Sequence, residues 1–167
     1  MSKILCVFYS RSGATRATME KIAELLDAEL VEITDGKKRK GVIGFFASGF
    51  DAMKKTPEEL QSVHTQKPLS AYEHVILGTP VWAGRCSSVM RSFLIEKGAM
   101  LPENVSYVIT HTGDQEYTEV YAQMDQYIPQ PHVRGLSLQP KAENYHQKVY
   151  DFVRTLTGET TEAEKEN

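Results

Sequence analysis

Two short segments of this 167-residue chain carry residue types that could do chemistry: Ser10-Arg11-Ser12-Gly13-Ala14-Thr15 and Gly78-Thr79-Pro80-Val81-Trp82-Ala83-Gly84. The first sets small hydroxyl residues and a glycine at an expected strand-to-helix turn. Such a turn exposes backbone N–H groups to an anion, and the helix dipole favours negative charge there. The second holds the chain's only tryptophan. Its Gly/Pro frame predicts a shaped loop, for which core packing is a poor explanation. A phosphate cradle beside a flat aromatic wall suits the two ends of a flavin mononucleotide (FMN).

The elements that must position these segments read as alternating strands and helices. Lys3 to Tyr9 is a near-continuous apolar run and predicts a buried strand. Ala14 to Ala28 carries Met19, Ile22, Leu25 and Leu26 at helical spacing. Strands are expected over Leu30–Ile33 (near a sheet edge, because a charge interrupts it), Val75–Gly78, Val105–Thr110 and His132–Leu138. Helices are expected over Ser87–Lys97 and Tyr117–Gln126, and from about Asn144 through Leu156. Five strands with interleaved helices predict an α/β, doubly wound parallel sheet in the order 2-1-3-4-5, sandwiched between helix layers. Ligands of such sheets bind beyond the carboxyl ends of the strands, where the order reverses. The loops after strands one and three flank that point, so both segments are expected at one site.

Composition sets the remaining bounds. An apolar share of 41 % and a charged share of 25 % describe an ordinary globular chain with one core, expected over residues 1–157. The tail 158–167 is polar and Glu/Thr-rich and is expected to be disordered. A net charge of −3 gives no reason to expect a nucleic-acid partner. No run approaches the roughly 18 apolar residues of a membrane span, and the N-terminus lacks the apolar region of a signal peptide. Two cysteines, Cys6 and Cys86, favour reduced thiols and a cytoplasmic location over a disulfide framework. Metal-ligand spacing, a Walker loop and a Gly-x-Gly-x-x-Gly pattern are absent.

These residues resemble the flavodoxin family over nearly the whole chain except the acidic tail. Ser10 to Thr15 fits the family's hydroxyl-x-hydroxyl-Gly-x-Thr phosphate loop, in the family's position after the first strand. The Trp82 segment after the third strand and Thr110-His111-Thr112-Gly113-Asp114 after the fourth extend the match, which looks like the short-chain form. The resemblance implies that Ser10, Ser12, Gly13 and Thr15 hold the FMN phosphate with nearby backbone N–H groups, Ala14 lying among them; Arg11, within the same loop, could contact the phosphate directly or project into solvent. It implies that Trp82 stacks on the isoalloxazine while Thr79, Pro80, Val81, Ala83 and Gly84 line its reactive edge. Thr112, Gly113 and Asp114 would close the pyrimidine side. Gly84 is the residue expected to change backbone conformation there, since glycine tolerates either sign of φ.

The resemblance implies an electron-transfer protein working with redox partner proteins or a small-molecule electron acceptor. Two alternatives stand beside it: an NAD(P)H-dependent FMN quinone or flavin oxidoreductase, and a flavin-free partner-binding module of the same fold. Three features depart from the family: a nearly balanced charge with the basic run Lys37–Lys40, Arg11 and Arg16 at the phosphate loop, and the lack of an obvious aromatic for the second flavin face in the loop after the fourth strand. The two arginines are expected to make the low-potential couple less negative than in acidic relatives.

Blander readings remain open for each feature. Ser10–Thr15 could be a turn with a serine N-cap, and Trp82 could bridge two loops. His111 could donate a hydrogen bond near a reduced flavin or be a structural residue at a strand end. Cys86 is expected to open a helix, where the dipole could lower its thiol pKa. Phe45, Phe46 and Phe50 could supply a second aromatic wall or belong to an amphipathic helix or flap. A tyrosine-phosphatase reading of Cys6 fails, because four residues rather than five separate it from Arg11 and it falls inside an apolar strand.

Overall fold

The structure, a computed structural model, describes residues 2–36 and 60–158. The basic run Lys37–Lys40, the phenylalanines at 45, 46 and 50, and the tail 159–167 lie outside the described residues. Elements follow the alternation expected of the sequence: β1 (Ile4–Phe8), α1 (Ala14–Leu26), β2 (Glu29–Glu32), β3 (His74–Trp82), β4 (Arg85–Cys86), α2 (Ser88–Lys97), β5 (Val105–Thr110), α3 (Glu119–Asp125), β6 (Arg134–Leu138) and α4 (Tyr145–Thr157). Single 3-10 turns sit at Leu69–Ala71 and Gly98–Met100.

Five strands are parallel and ordered β2-β1-β3-β5-β6, the doubly wound order expected once the short antiparallel β4 is set aside. Strand periodicity explains why both faces are apolar. Leu5 and Val7 of β1, and Tyr9 just beyond it, enter one core with Val75, Leu77 and Tyr107, covered by Val89, Met90 and Phe93 of α2 and Val120 and Met124 of α3. Cys6 and Phe8 point the other way, with Ile76, Val108 and Leu136, against Met19 and Ile22 of α1 and Val149 and Phe152 of α4. Among the described residues, no helix is long and apolar enough to cross a membrane.

Helix α1 buries Thr15, Thr18, Met19, Ile22 and Ala23, a stripe at helical spacing. It approaches the sheet closely where Gly78 leaves room: a Cβ there would meet the Met19 sulfur at 2.5 Å. The N-cap is Gly13, with φ of 106°, rather than a serine. Serine does cap α2, where Ser87 accepts from the Met90 backbone N–H at 3.0 Å.

The largest departure from expectation is around Trp82. Strand β3 does not stop at Gly78 but continues to Trp82, and a two-residue turn returns it as β4. Both turn residues have positive φ, 51° at Ala83 and 73° at Gly84, as a type I′ hairpin requires. Proline is tolerated at position 80 because β1 pairs with β3 only as far as Gly78. Beyond that point one side of β3 is a local edge, where a missing N–H breaks no ladder.

Cys86 belongs to this hairpin and not to the start of a helix. Burial pushes its thiol up to about 12, outweighing the smaller opposing effects of Arg91 and Arg85. Burial does the same to Cys6, also to about 12. Between the ordinary value of 9.0 and about 12 the folded state therefore holds protons that the unfolded chain gives up. Their contribution is fully present below pH 9 and falls as pH rises through that window. Native protein at pH 8 is expected to resist iodoacetamide at both thiols, and denaturant-unfolded protein to label at both. Mass spectrometry that finds rapid native labelling would contradict their burial.

Candidate functional site

The carboxyl ends of β1, β3 and β5 converge on an open cleft. The β1–α1 loop contributes Ser10, Arg11 and Ser12, and the first turn of α1 contributes Ala14 and Thr15. Pro80, Val81 and Trp82 come from the extension of β3, and Thr110, His111 and Thr112 from the end of β5. Pro140, after β6, completes the wall. The loops after the first, third and fourth parallel strands therefore meet at one place, where the connections leave opposite faces of the sheet.

Helix physics gives the floor of the cleft its chemistry. The N–H groups of the first turn lack carbonyl partners within the helix, so they present donors and a partial positive charge. The Ala17 N–H is the first to be satisfied from within, by the Gly13 carbonyl at 3.0 Å. The turn itself is held by a bond from the Gly13 N–H to Ser10 Oγ, at 3.1 Å. Deeper down, Thr15 and Thr110 share a buried hydroxyl–hydroxyl bond of 2.8 Å that ties α1 to β5. Tyr145 and Thr18 join α4 to α1 with a second such bond, 2.5 Å long.

The two arginines expected together at the phosphate loop have separate places. Arg11 lines the cleft. Arg16 does not: its guanidinium meets Glu32 at 2.5 Å and sits 5.7 Å from the Phe8 ring centroid. The expected joint effect of both arginines on a bound group therefore reduces to Arg11.

Trp82 lines the cleft yet is a core residue, only 6 % exposed. Its ring meets Tyr9 edge-on, with centroids 5.4 Å apart. The Gly/Pro frame is real, but it folds the tryptophan under the sheet end instead of presenting it as an open wall. Thr79 is fully buried, and its hydroxyl accepts from the Ser87 backbone N–H at 3.0 Å. It joins β3 to the start of α2 and stands behind the cleft. Gly13, Ala83, Gly84, Gly113 and Asp114 also lie outside the cleft lining; Gly13, Ala83 and Gly113 each adjoin a residue within it, whereas Gly84 and Asp114 stand one residue further off. Gly113 is pressed against Tyr117, whose hydroxyl would lie 2.1 Å from an added Cβ.

Thr110 and Pro140 escaped the sequence reading. Thr110 carried a visible signal, a hydroxyl at the end of an apolar strand, whereas Pro140 reaches the cleft only through the sheet order. His111 is 9 % exposed and fully engaged. Nδ1 faces the Gly113 carbonyl at 2.9 Å, Nε2 faces Ser137 Oγ at 2.8 Å, and the ring packs on Tyr117 at 4.9 Å.

A second polar cluster lies away from the cleft. Asp125 Oδ1 accepts from the Tyr107 hydroxyl at 2.8 Å and from the His132 backbone N–H at 3.1 Å. His132 Nδ1 also meets the carboxylate, and its ring stacks on Tyr107 at 4.9 Å. Burial, followed by the bond to Asp125, raises the Tyr107 pKa strongly, so this phenol remains a donor. The cluster ties the loop before β6 to β5. Among the described residues no group of histidine, cysteine and acidic side chains could hold a metal ion.

This sheet order and switch-point cleft define a flavodoxin-like α/β fold. No protein-family model matches the chain. A candidate flavoprotein from Bacteroides eggerthii superposes with a TM-score of 0.74 at 17 % identity, covering 94 % of this chain and 99 % of that one. A Lactobacillus acidophilus flavoprotein solved in complex with FMN gives 0.63 at 20 % identity, covering 81 % and 93 %. A flavodoxin, WrbA-like protein from Agrobacterium tumefaciens gives 0.56 at 13 %, covering 95 % and 96 %. At such identities the likeness is one of fold. In sequence, the chain is 32 % identical over 102 residues to an NAD(P)H dehydrogenase (quinone) from Cupriavidus metallidurans. That match spans 60 % of this chain and about half, 49 %, of the other protein.

Proposed function

We propose that this chain is an FMN-binding, flavodoxin-like redox protein that passes electrons through a non-covalently held flavin. The observation that carries the reading is the N-terminus of α1 opening into the switch-point cleft, fronted by hydroxyl side chains. The donor set fits a phosphate monoester: Ser10, Ser12 and Thr15 hydroxyls, the free N–H groups of the first turn, and the Arg11 guanidinium. The cavity volume of the cleft is about 80 Å³. Pockets that swallow a whole drug-sized ligand run to about 300–1,000 Å³. A cleft this small suits the phosphate end, and Pro80 and Val81 are the lining residues that would meet the ring.

A bound flavin supplies the redox chemistry, and the protein supplies binding, orientation and electrostatics. Ser10 to Thr15 anchor the phosphate. The Thr15–Thr110 bond fixes the helix start against the sheet, so the anchor and the mouth keep one geometry. The hairpin turn at Ala83 and Gly84, together with Thr112, Gly113 and Asp114, would frame the reactive edge. Redox partner proteins or a small-molecule acceptor would approach there.

The likeness to an NAD(P)H dehydrogenase (quinone) favours a second reading, an enzyme that takes hydride from a nicotinamide and passes it to a quinone-type acceptor. Steady-state turnover separates the two. FMN-loaded protein that oxidises NAD(P)H with a quinone, with no added reductase, is the enzyme. Reduction that requires an added flavodoxin-type reductase identifies the carrier. A protein that retains no FMN defeats both.

A further inference from the structure

The hydrogen bonds around His111 fix where its ring protons lie. Nδ1 faces the Gly113 carbonyl at 2.9 Å, and a carbonyl oxygen can only accept, so Nδ1 carries a hydrogen. On the other side, Nε2 lies 2.8 Å from Ser137 Oγ. The single hydroxyl hydrogen of Ser137 is already committed, because Oγ donates to the Glu116 carbonyl at 2.5 Å. Two oxygens that close need a hydrogen between them. Ser137 must therefore accept from Nε2, and Nε2 must also carry a hydrogen.

We infer that His111 holds protons on both ring nitrogens in the folded protein, forming an imidazolium that locks the 112–117 loop to β6 and biases the cleft toward anionic occupants. The locking and the charge have one origin. Each ring N–H satisfies an acceptor, and the Ser137 hydroxyl passes the chain on to Glu116, so removing one proton leaves two acceptors facing each other.

Groups of both signs surround this position. From the β1–α1 loop, Arg11 shares the cleft, a like charge that the two hydrogen bonds of the ring must outweigh. From the loop after β5, the Tyr117 ring packs against the imidazole at 4.9 Å. Asp114 and Glu116 are the carboxylates of that same loop, and the Glu116 carboxylate is held by Lys148 of α4 at 3.4 Å. β6 offers the Ser137 hydroxyl and the Leu138 carbonyl, which accepts from the His111 backbone N–H at 3.0 Å. Both ring N–H groups are consumed within the protein. His111 therefore acts on an occupant through charge and by positioning the loop that carries Thr112, rather than as a hydrogen-bond donor to the ligand.

The consequence for ligand choice rests on the proposed flavin site, but the protonation state does not. The first test therefore uses ligand-free protein. In 15N-histidine-labelled protein at pH 7.5, both ring nitrogens of His111 are expected to give protonated-type signals with one-bond N–H coupling. Ser137→Ala removes the acceptor of Nε2–H, and one nitrogen is then expected to lose its proton at the same pH. A bare ring nitrogen in the wild type overturns the inference, and so does a doubly protonated ring that persists in Ser137→Ala. Folding of the variant is checked by its near-UV circular dichroism, and the wild-type spectrum decides alone if the variant unfolds. For the consequence, His111→Gln is expected to reduce the preference for FMN over riboflavin roughly tenfold. An unchanged preference removes the electrostatic bias, and absence of FMN binding by the wild type defeats the flavin reading while leaving the protonation result intact.

Discussion

Ser12→Asp is expected to weaken FMN binding by about 100-fold while leaving the fold intact. Ser12 is exposed, lines the cleft and precedes the N-cap Gly13. A carboxylate beside a helix N-terminus is locally favourable, so the stability change should stay within about 0.5 kcal/mol. The same carboxylate would stand against the phosphate, and juxtaposed like charges cost several kcal/mol in a binding site. Ser12→Asn is the neutral control of matched size and should lose far less affinity. Titration of FMN into the three proteins, with thermal melts alongside, checks both halves. Equal losses for Asp and Asn would mean that position 12 contributes shape rather than charge.

Gly98→Ala should cost about 3 kcal/mol of stability or more. A Cβ at position 98 would lie 2.2 Å from the Tyr127 backbone oxygen and 3.1 Å from its carbonyl carbon. Neither is the yielding end of a flexible side chain. Gly98 is itself buried at the end of α2, and Tyr127 is tied back to the Met124 carbonyl at 3.1 Å. Relief thus requires separating α2 from the loop after α3, and overpacking of this kind typically costs 1–3 kcal/mol, sometimes more. For a chain of this size that predicts a Tm lower by roughly 6–12 °C. A loss below about 1 kcal/mol in urea denaturation would show that the two backbones slide apart easily.

Much of this architecture is legible in the sequence because its signals are local. The apolar runs at Ile4–Phe8 and Val105–Thr110 and the stripe from Thr15 to Ala23 read as buried strands and a half-buried helix before any contact is known. The strand order follows from their alternation. The ends of α3 and β6 fall two residues inside their expected starts, at Glu119 and Arg134, because Tyr117, with φ of 54°, and the His132–Asp125 contact hold the preceding residues outside the regular elements.

Trp82 shows where local signals mislead. Proline and paired small residues announce a loop, yet the strand persists through Pro80 because its neighbour β1 has already ended. That condition depends on sheet order and register, which no short window of sequence contains. Cys86 fails for a related reason, since a two-residue strand has too few positions to show a period. The candidate site divides along the same line. Ser10, Ser12 and Thr15 predict the proposed anion cradle through residue type and spacing. The assignment of hydrogens around His111 depends on Ser137, 26 residues away, and is visible only in three dimensions.

The most direct test of the central claim is a titration of purified protein with FMN, followed through flavin absorbance and the fluorescence of Trp82, the chain's sole tryptophan. Saturable perturbation of the flavin bands at one FMN per chain, with parallel quenching of the tryptophan, is the result this account predicts. Flavin bands and tryptophan emission that stay unchanged as FMN is raised to large excess would contradict it, leaving a flavodoxin-like fold whose switch-point cleft serves some other anion.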